Sequence, residues 1–197
     1  FYPYGGTANQ DAKSQSQYFE AWSDAHPGKT VHDWRRDNVN RMIADVYHTI
    51  QATKPYVAFG VSPFGIWTTN TNVAEEEGIP LPSGISGGNM YQEIYCDPVA
   101  WLKEGTVDYL SPQLYWKIGG AQDYNKLCAW WTDLANRFGK QFYSSMALYR
   151  YAENNSSNTG YYKNTDEFKN QTLKNRSANY DNAPGNVFYN TLAWVYD

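Results

Sequence analysis

The sequence predicts an α/β fold with a parallel sheet, and three observations carry that prediction. Four apolar, strand-like segments alternate with helical patterns: Tyr56–Val61, Val107–Tyr115, Gln141–Leu148 and Val187–Trp194. Each connection is long enough for a crossover helix, which joins parallel strands with a right-handed turn. The segments read as near-continuous apolar runs, the pattern of strands buried on both faces. Four such strands are half of a TIM-type (β/α)8 barrel, which takes about 250 residues. The 197 residues are expected to form one domain, 1–197.

Each element has its own local reason. Residues 1–32 are polar and Gly/Gln/Ser-rich, with a Pro27-Gly28 turn signal. A helix is expected from Asp33, its cap, to Thr53, with Val39, Met42, Ile43, Val46, Tyr47 and Ile50 on one stripe and His48 off it. Lys54-Pro55 ends it before the first strand. A polar loop then runs to Tyr91; in it Glu75-Glu76-Glu77 reads as a solvated run and Ser83–Asn89 as a Gly-rich tip. That tip lacks the Lys-Ser/Thr ending of a phosphate-binding loop. Asp97 is a natural cap for a short helix Pro98–Glu104, closed by Gly105. Asp123–Phe138 is helical through Leu127, Trp130, Trp131, Leu134 and Phe138, and Thr165–Asn179 is a polar helix with Phe168 and Leu173.

Composition narrows the function. Twenty acids against 16 bases give a formal charge of −4, which disfavours nucleic acid as a partner. No apolar run approaches the roughly 20 residues of a membrane span. Cys96 and Cys128, with three scattered histidines, match no metal-ligand spacing, so no metal or cofactor is expected. Two free thiols are expected; a single disulfide is the alternative. Aromatic residues reach 17% against 18% charged. So many Trp and Tyr rings either lie partly buried with polar tips exposed or line a cleft, where flat faces stack on sugar rings.

In parallel α/β folds the working residues stand at the C-terminal ends of strands. Those ends supply Ser62, Trp67, Gln113, Tyr115, Trp116, Tyr149, Arg150, Glu153 and Trp194. Flat apolar faces with neutral amide and hydroxyl groups suit a carbohydrate. Trp67 and Trp194 have packing at the barrel rim as an equal alternative. Gln113 is harder to explain by packing, because an amide on an apolar strand must satisfy up to four hydrogen bonds. Glycoside hydrolysis needs two carboxyls, and Glu153 is the one acid near a strand end apart from the terminal Asp197. The cluster Asp33-Trp34-Arg35-Arg36-Asp37-Asn38 reads either as a helix start or as Trp34 and an Arg at the mouth of the site.

Four ordered blocks carry a resemblance: Asp33–Asn38, Phe59-Gly-Val-Ser-Pro-Phe-Gly-Ile-Trp67, Asp108-Tyr-Leu-Ser-Pro-Gln-Leu-Tyr-Trp116 and Trp130-Trp131. The chain resembles the bacterial glycosyl-hydrolase-like family 10 proteins. The resemblance implies a (β/α)8 barrel of which this chain supplies the last four to five βα units, incomplete at its N-terminus. It also implies an acidic pair directly before Phe1-Tyr2-Pro3, and an exported, extracytoplasmic glycoside hydrolase acting on a cell-wall or other polysaccharide. The expected roles are Glu153 as acid, with Ser62, Trp67, Gln113, Tyr115, Trp116, Tyr149, Arg150 and Trp34 holding the oligosaccharide. A non-catalytic glycan-binding module is the alternative. The open strand edges are expected to be covered by the N-terminal half of the barrel or by a second copy.

Overall fold

The computed structural model describes residues 10–154, 160–161, 163–178 and 185–190. Its elements run α1 (Ala12–Ala25), α2 (Val31–Thr53), β1 (Gly60–Val61), α3 (Thr71–Glu77), α4 (Met90–Glu93), α5 (Pro98–Glu104), β2 (Tyr109–Leu110), α6 (Tyr124–Arg137), β3 (Gln141–Ala147), a 3-10 turn (Leu148–Tyr151), α7 (Thr165–Ala178) and β4 (Gly185–Tyr189). The four strands form one parallel sheet in chain order, β1-β2-β3-β4, as expected. Gly60 pairs with Tyr109, Leu110 with Phe142 and Ser145 with Val187. Bridges from Phe64 to Gln113 and from Gln113 to Ser145 carry the pairing past the short strands toward their C-terminal ends.

The expectation of strands buried on both faces is corrected. Leu110, Leu114, Phe142 and Met146 point to the helices and are fully buried. The alternate residues, Tyr109, Ser111, Gln113 and Tyr115, stand on the other face by the period-two geometry of a strand. Near β4 that face is open, with Val187 44% and Tyr189 52% exposed. The first strand is also shorter than expected. Tyr56 is 83% exposed, and Val57 turns back to donate to the Lys54 carbonyl at 2.9 Å, so pairing starts only at Gly60. Residues 191–197, including Trp194 and Asp197, lie outside the described residues.

Aromatic rings lie across glycines on this sheet. A Cβ on Gly60 would meet the Tyr109 ring at 2.3 Å, one on Gly65 the Trp116 ring at 2.5 Å, and one on Gly185 the Tyr143 ring at 2.6 Å. Each ring covers backbone that the glycine leaves bare.

The polar N-terminal stretch holds a helix that its pattern did not announce. Helix α1 buries no residue fully. It is held on α2 by polar groups: Trp22 donates Nε1 to Asp37 at 2.8 Å, and Arg35 forks onto both Asp11 oxygens at 2.7 Å. Helix α2 begins one turn earlier than its expected cap. Thr30 is the cap, and Asp33 closes a capping box on it, accepting from the Thr30 N–H at 2.8 Å. On its apolar stripe Val39 and Ile43 are buried, while Met42 and Val46 remain 47% and 40% exposed.

The acidic run expected as loop forms α3, ended by Gly78 in the left-handed conformation, and Glu77 pairs with Lys103. Helix α5 matches its expected bounds, with Asp97 accepting from the Ala100 N–H. Helix α6, capped by Asp123, buries Leu127, Trp131 and Leu134 against the sheet. Both cysteines are free and buried.

Candidate functional site

A cavity of about 570 Å³ opens on the uncovered face of the sheet. Its floor is made of small residues from successive strands: Gly60 in β1 and Ser62 just after it, Ser111 after β2 and Ser145 in β3. Its walls are Tyr109, Gln113, Tyr115, Val187 and Tyr189. Parallel in-register pairing puts these residues side by side, because every second residue of each strand faces the same way.

At the upper end three phenols pack together. Tyr115 and Tyr189 stack with centroids 5.9 Å apart and planes 20° apart. Tyr149 stands edge-on to both, at 6.1 Å in each case. Burial raises the Tyr115 pKa above its usual value, against a hydrogen bond with Ser145 that lowers it. The phenol is therefore a neutral group with a proton to donate at neutral pH. Gln113 donates Nε2 to the Ser62 carbonyl at 3.2 Å. The Ser111 hydroxyl is buried, and among the described residues no hydrogen-bond partner reaches it.

The structure thus brings Ser62, Gln113 and Tyr115 together in one cavity, with Tyr149 against its rim. Other expected residues lie elsewhere. Trp67 is 1% exposed; its ring stacks on Trp130 and its Nε1 donates to Asp97 at 3.0 Å, so it is core. Trp34 is 4% exposed and packs edge-on against Phe19 under α1. Trp116 is half-buried across Gly65 and against the core, outside the cavity lining. Arg150 turns back, its guanidinium over the rings of Tyr149 and Tyr161. The cluster on α2 is a set of structural polar contacts: Arg35 also donates to the Tyr95 hydroxyl at 3.0 Å, and Arg36 pairs with Asp33 while lying over Tyr91.

Glu153 is exposed just past the 3-10 turn, and among the described residues no carboxylate lines the cavity. Asp97 has an unusual environment, but on the helix side of the sheet. Burial raises its pKa to about 6, against hydrogen bonds from the Ala100 N–H and Trp67. Among the described residues no group of three His, Cys, Asp or Glu side chains could hold a metal ion.

Sequence reasoning missed Tyr109, Ser111, Ser145 and Tyr189. The signal was present: in Tyr109-Leu-Ser-Pro-Gln-Leu-Tyr115 the odd positions are polar or phenolic and the even ones apolar. Reading the strand as buried on both faces set that alternation aside.

Fold and cavity together define a parallel α/β protein with a cleft on the open face of its sheet. The chain belongs to the family described as Glycosyl hydrolase-like 10, which it matches over residues 1–163. It is similar to Glycosyl hydrolase YngK of Bacillus subtilis (strain 168), 39% identical over 156 residues, or 78% of this chain and 29% of that relative. It is also similar to Glycosyl hydrolase DigH of Escherichia coli (strain K12), 38% identical over 122 residues, or 61% of this chain and 26% of that relative. The chain therefore spans less than a third of the length of these relatives.

Proposed function

We propose that this chain is the sugar-holding part of a glycoside hydrolase built on a (β/α)8 barrel, acting on a bacterial cell-wall or other polysaccharide outside the cytoplasm. The observation that carries the reading is the cavity at the strand ends, with aromatic walls and neutral hydrogen-bonding groups in place of charges. Tyr115 and Tyr189 supply flat faces; Gln113, Ser62 and Ser111 supply donors and acceptors for sugar hydroxyls.

Cleaving the glycosidic bond takes a carboxylic acid to protonate the leaving oxygen. A second carboxylate must activate water or attack the anomeric carbon, about 5–5.5 Å away for retention or 6.5–9.5 Å for inversion. Among the described residues Glu153 is the acid nearest the end of β3, and it does not line the cavity. The acid pair on this reading comes from outside the described residues. So does the cover of the open face: Val187 and Tyr189 on β4, with Met42 and Val46 on α2, offer apolar surface to further βα units or to a second copy.

A non-catalytic glycan-binding module is the second reading, favoured by the absence of a carboxylate among the described cavity residues. One experiment separates the two. Residues 1–197 and a longer form carrying further βα units are assayed together on soluble glycans and peptidoglycan glycan strands. Turnover by the longer form alone supports the hydrolase reading with the acid pair elsewhere. Turnover by the short chain that vanishes in Glu153→Gln makes Glu153 the acid. Binding without turnover by either form leaves the binding module.

A further inference from the structure

We infer that the groove between α1 and α2 is a second glycan-holding site, separate from the cavity on the sheet. This rests on the glycan reading above and gives the polysaccharide another point of attachment. The groove encloses about 400 Å³, inside the roughly 300–1,000 Å³ of small-ligand sites. Both of its walls are helices within the described residues, and it shares no lining residue with the cavity on the sheet. Helix α1 buries no residue fully, yet it carries Tyr18, Phe19 and Trp22. Packing on α2 accounts for Phe19, which meets Trp34 edge-on. Tyr18 and Trp22, one turn apart, line the groove instead. The Trp22 indole is fixed there: it stacks on His26 with centroids 4.2 Å apart and donates Nε1 to Asp37 at 2.8 Å. Tyr18 is 56% exposed and keeps ring surface for a ligand.

The α2 wall supplies Asn38 and Arg41, three residues apart and so on one face of the helix. An amide both gives and takes hydrogen bonds, and a guanidinium offers a planar fork of donors; side by side they suit the adjacent hydroxyls of a sugar. Asp11 also lines the groove, and its carboxylate is held in one orientation by the Arg35 fork, 2.7 Å to each oxygen. Charge decides between a sugar and an anion. Asp37 and Asp45 stand one turn before and one turn after Arg41 on α2, so its charge is offset within its own helix. An anion gains little from such a groove. A ring with an apolar C–H face and a hydroxyl rim matches an open phenol on one wall and an amide and a guanidinium on the other.

The test is an NMR titration of the isotope-labelled chain with two disaccharides, chitobiose and cellobiose. The groove is read at the side-chain amide of Asn38 and the Nε–H of Arg41, and the cavity on the sheet at the side-chain amide of Gln113. The expected result is that a disaccharide moves Asn38 and Arg41 in one saturable transition. Tyr18→Ala and Arg41→Ala should each weaken that transition, followed at Asn38, by about three- to tenfold and leave the response of Gln113 as it was. Both side chains are exposed, so neither variant loses core packing. A sugar that moves Gln113 but neither Asn38 nor Arg41 overturns the inference and leaves the glycan reading standing. So does a groove transition that both variants leave unchanged. If no probe moves either set, nor any of a wider panel of glycans, the glycan reading fails and the inference fails with it.

Discussion

The Tyr109 ring lies across Gly60 so closely that a Cβ on the glycine would stand 2.3 Å from it. The two residues are register partners on β1 and β2, and the ring forms part of the cavity wall. Gly60→Ala is expected to push Tyr109 off the strand and destabilise the protein by about 1–3 kcal/mol, the usual range for overpacking. Denaturant titration of Gly60→Ala, Tyr109→Ala and the double variant checks it. If the clash is the cause, the alanine at 60 costs far less once the ring is gone. Additive effects would sink this account.

Tyr189 closes the cavity against Tyr115, yet is 52% exposed. Such a ring keeps much of its surface for a ligand. Tyr189→Ala should weaken neutral oligosaccharide binding by about 0.5–1.5 kcal/mol, the worth of an aromatic contact beyond its area. Met42→Ala removes a comparably exposed apolar side chain on α2 and should leave affinity unchanged. Fluorescence titration of the two variants side by side decides; equal losses would mean that the stack is structural.

The sheet was legible in the sequence because its helix-facing residues, Leu110, Leu114, Phe142 and Met146, recur at even spacing in segments that mark strands whatever covers the other side. The nature of that other side was not legible as long as parallel strands were assumed to be buried twice. Helix α1 was hidden for a different reason. It is fixed by Arg35 on Asp11 and by Trp22 on Asp37, contacts 24 and 15 residues apart that leave no apolar period. Trp67 misled in the opposite direction: it stands just past a strand, where site residues gather, but its indole is consumed by Trp130 and Asp97. An aromatic residue near a strand end points into the cleft or into the core according to which face it leaves, and the chain bends at Gly65, two residues before Trp67.

The fork between Arg35 and Asp11 is expected to hold α1 in place. Both side chains are nearly buried, at 7% and 11% exposure, so cutting one takes a close, well-shielded charge partner from the other. Arg35→Met should cost about 3 kcal/mol. Hydrogen exchange should quicken throughout Ala12–Ala25 while β3 stays protected. Unchanged exchange in α1 would show that the fork is dispensable.

Asp97 predicts a pH dependence with a definite sign. Its carboxyl titrates near 3.8 when unfolded and at about 6 in the fold, mainly because burial disfavours its charge, with Glu77 adding to the effect. Between those values the folded protein holds a proton that the unfolded chain has released. Stability therefore falls as pH rises from about 4 to 6, by on the order of 3 kcal/mol, and the loss is complete above 6. Asp33 acts in the opposite sense and in another window. Burial works against its charge, but hydrogen bonds from Thr30 and Arg36 outweigh it and hold its carboxyl below the usual value. Its contribution is lost only as pH falls below about 4. Asp97→Asn keeps an oxygen to accept from Trp67 and from the Ala100 N–H, and removes the titration. The variant should match the wild type at pH 4, surpass it at pH 7, and lose the downward slope between. Denaturant midpoints across that range give the answer. A wild type and variant with parallel pH profiles would mean that Asp97 is solvated enough to ionise normally.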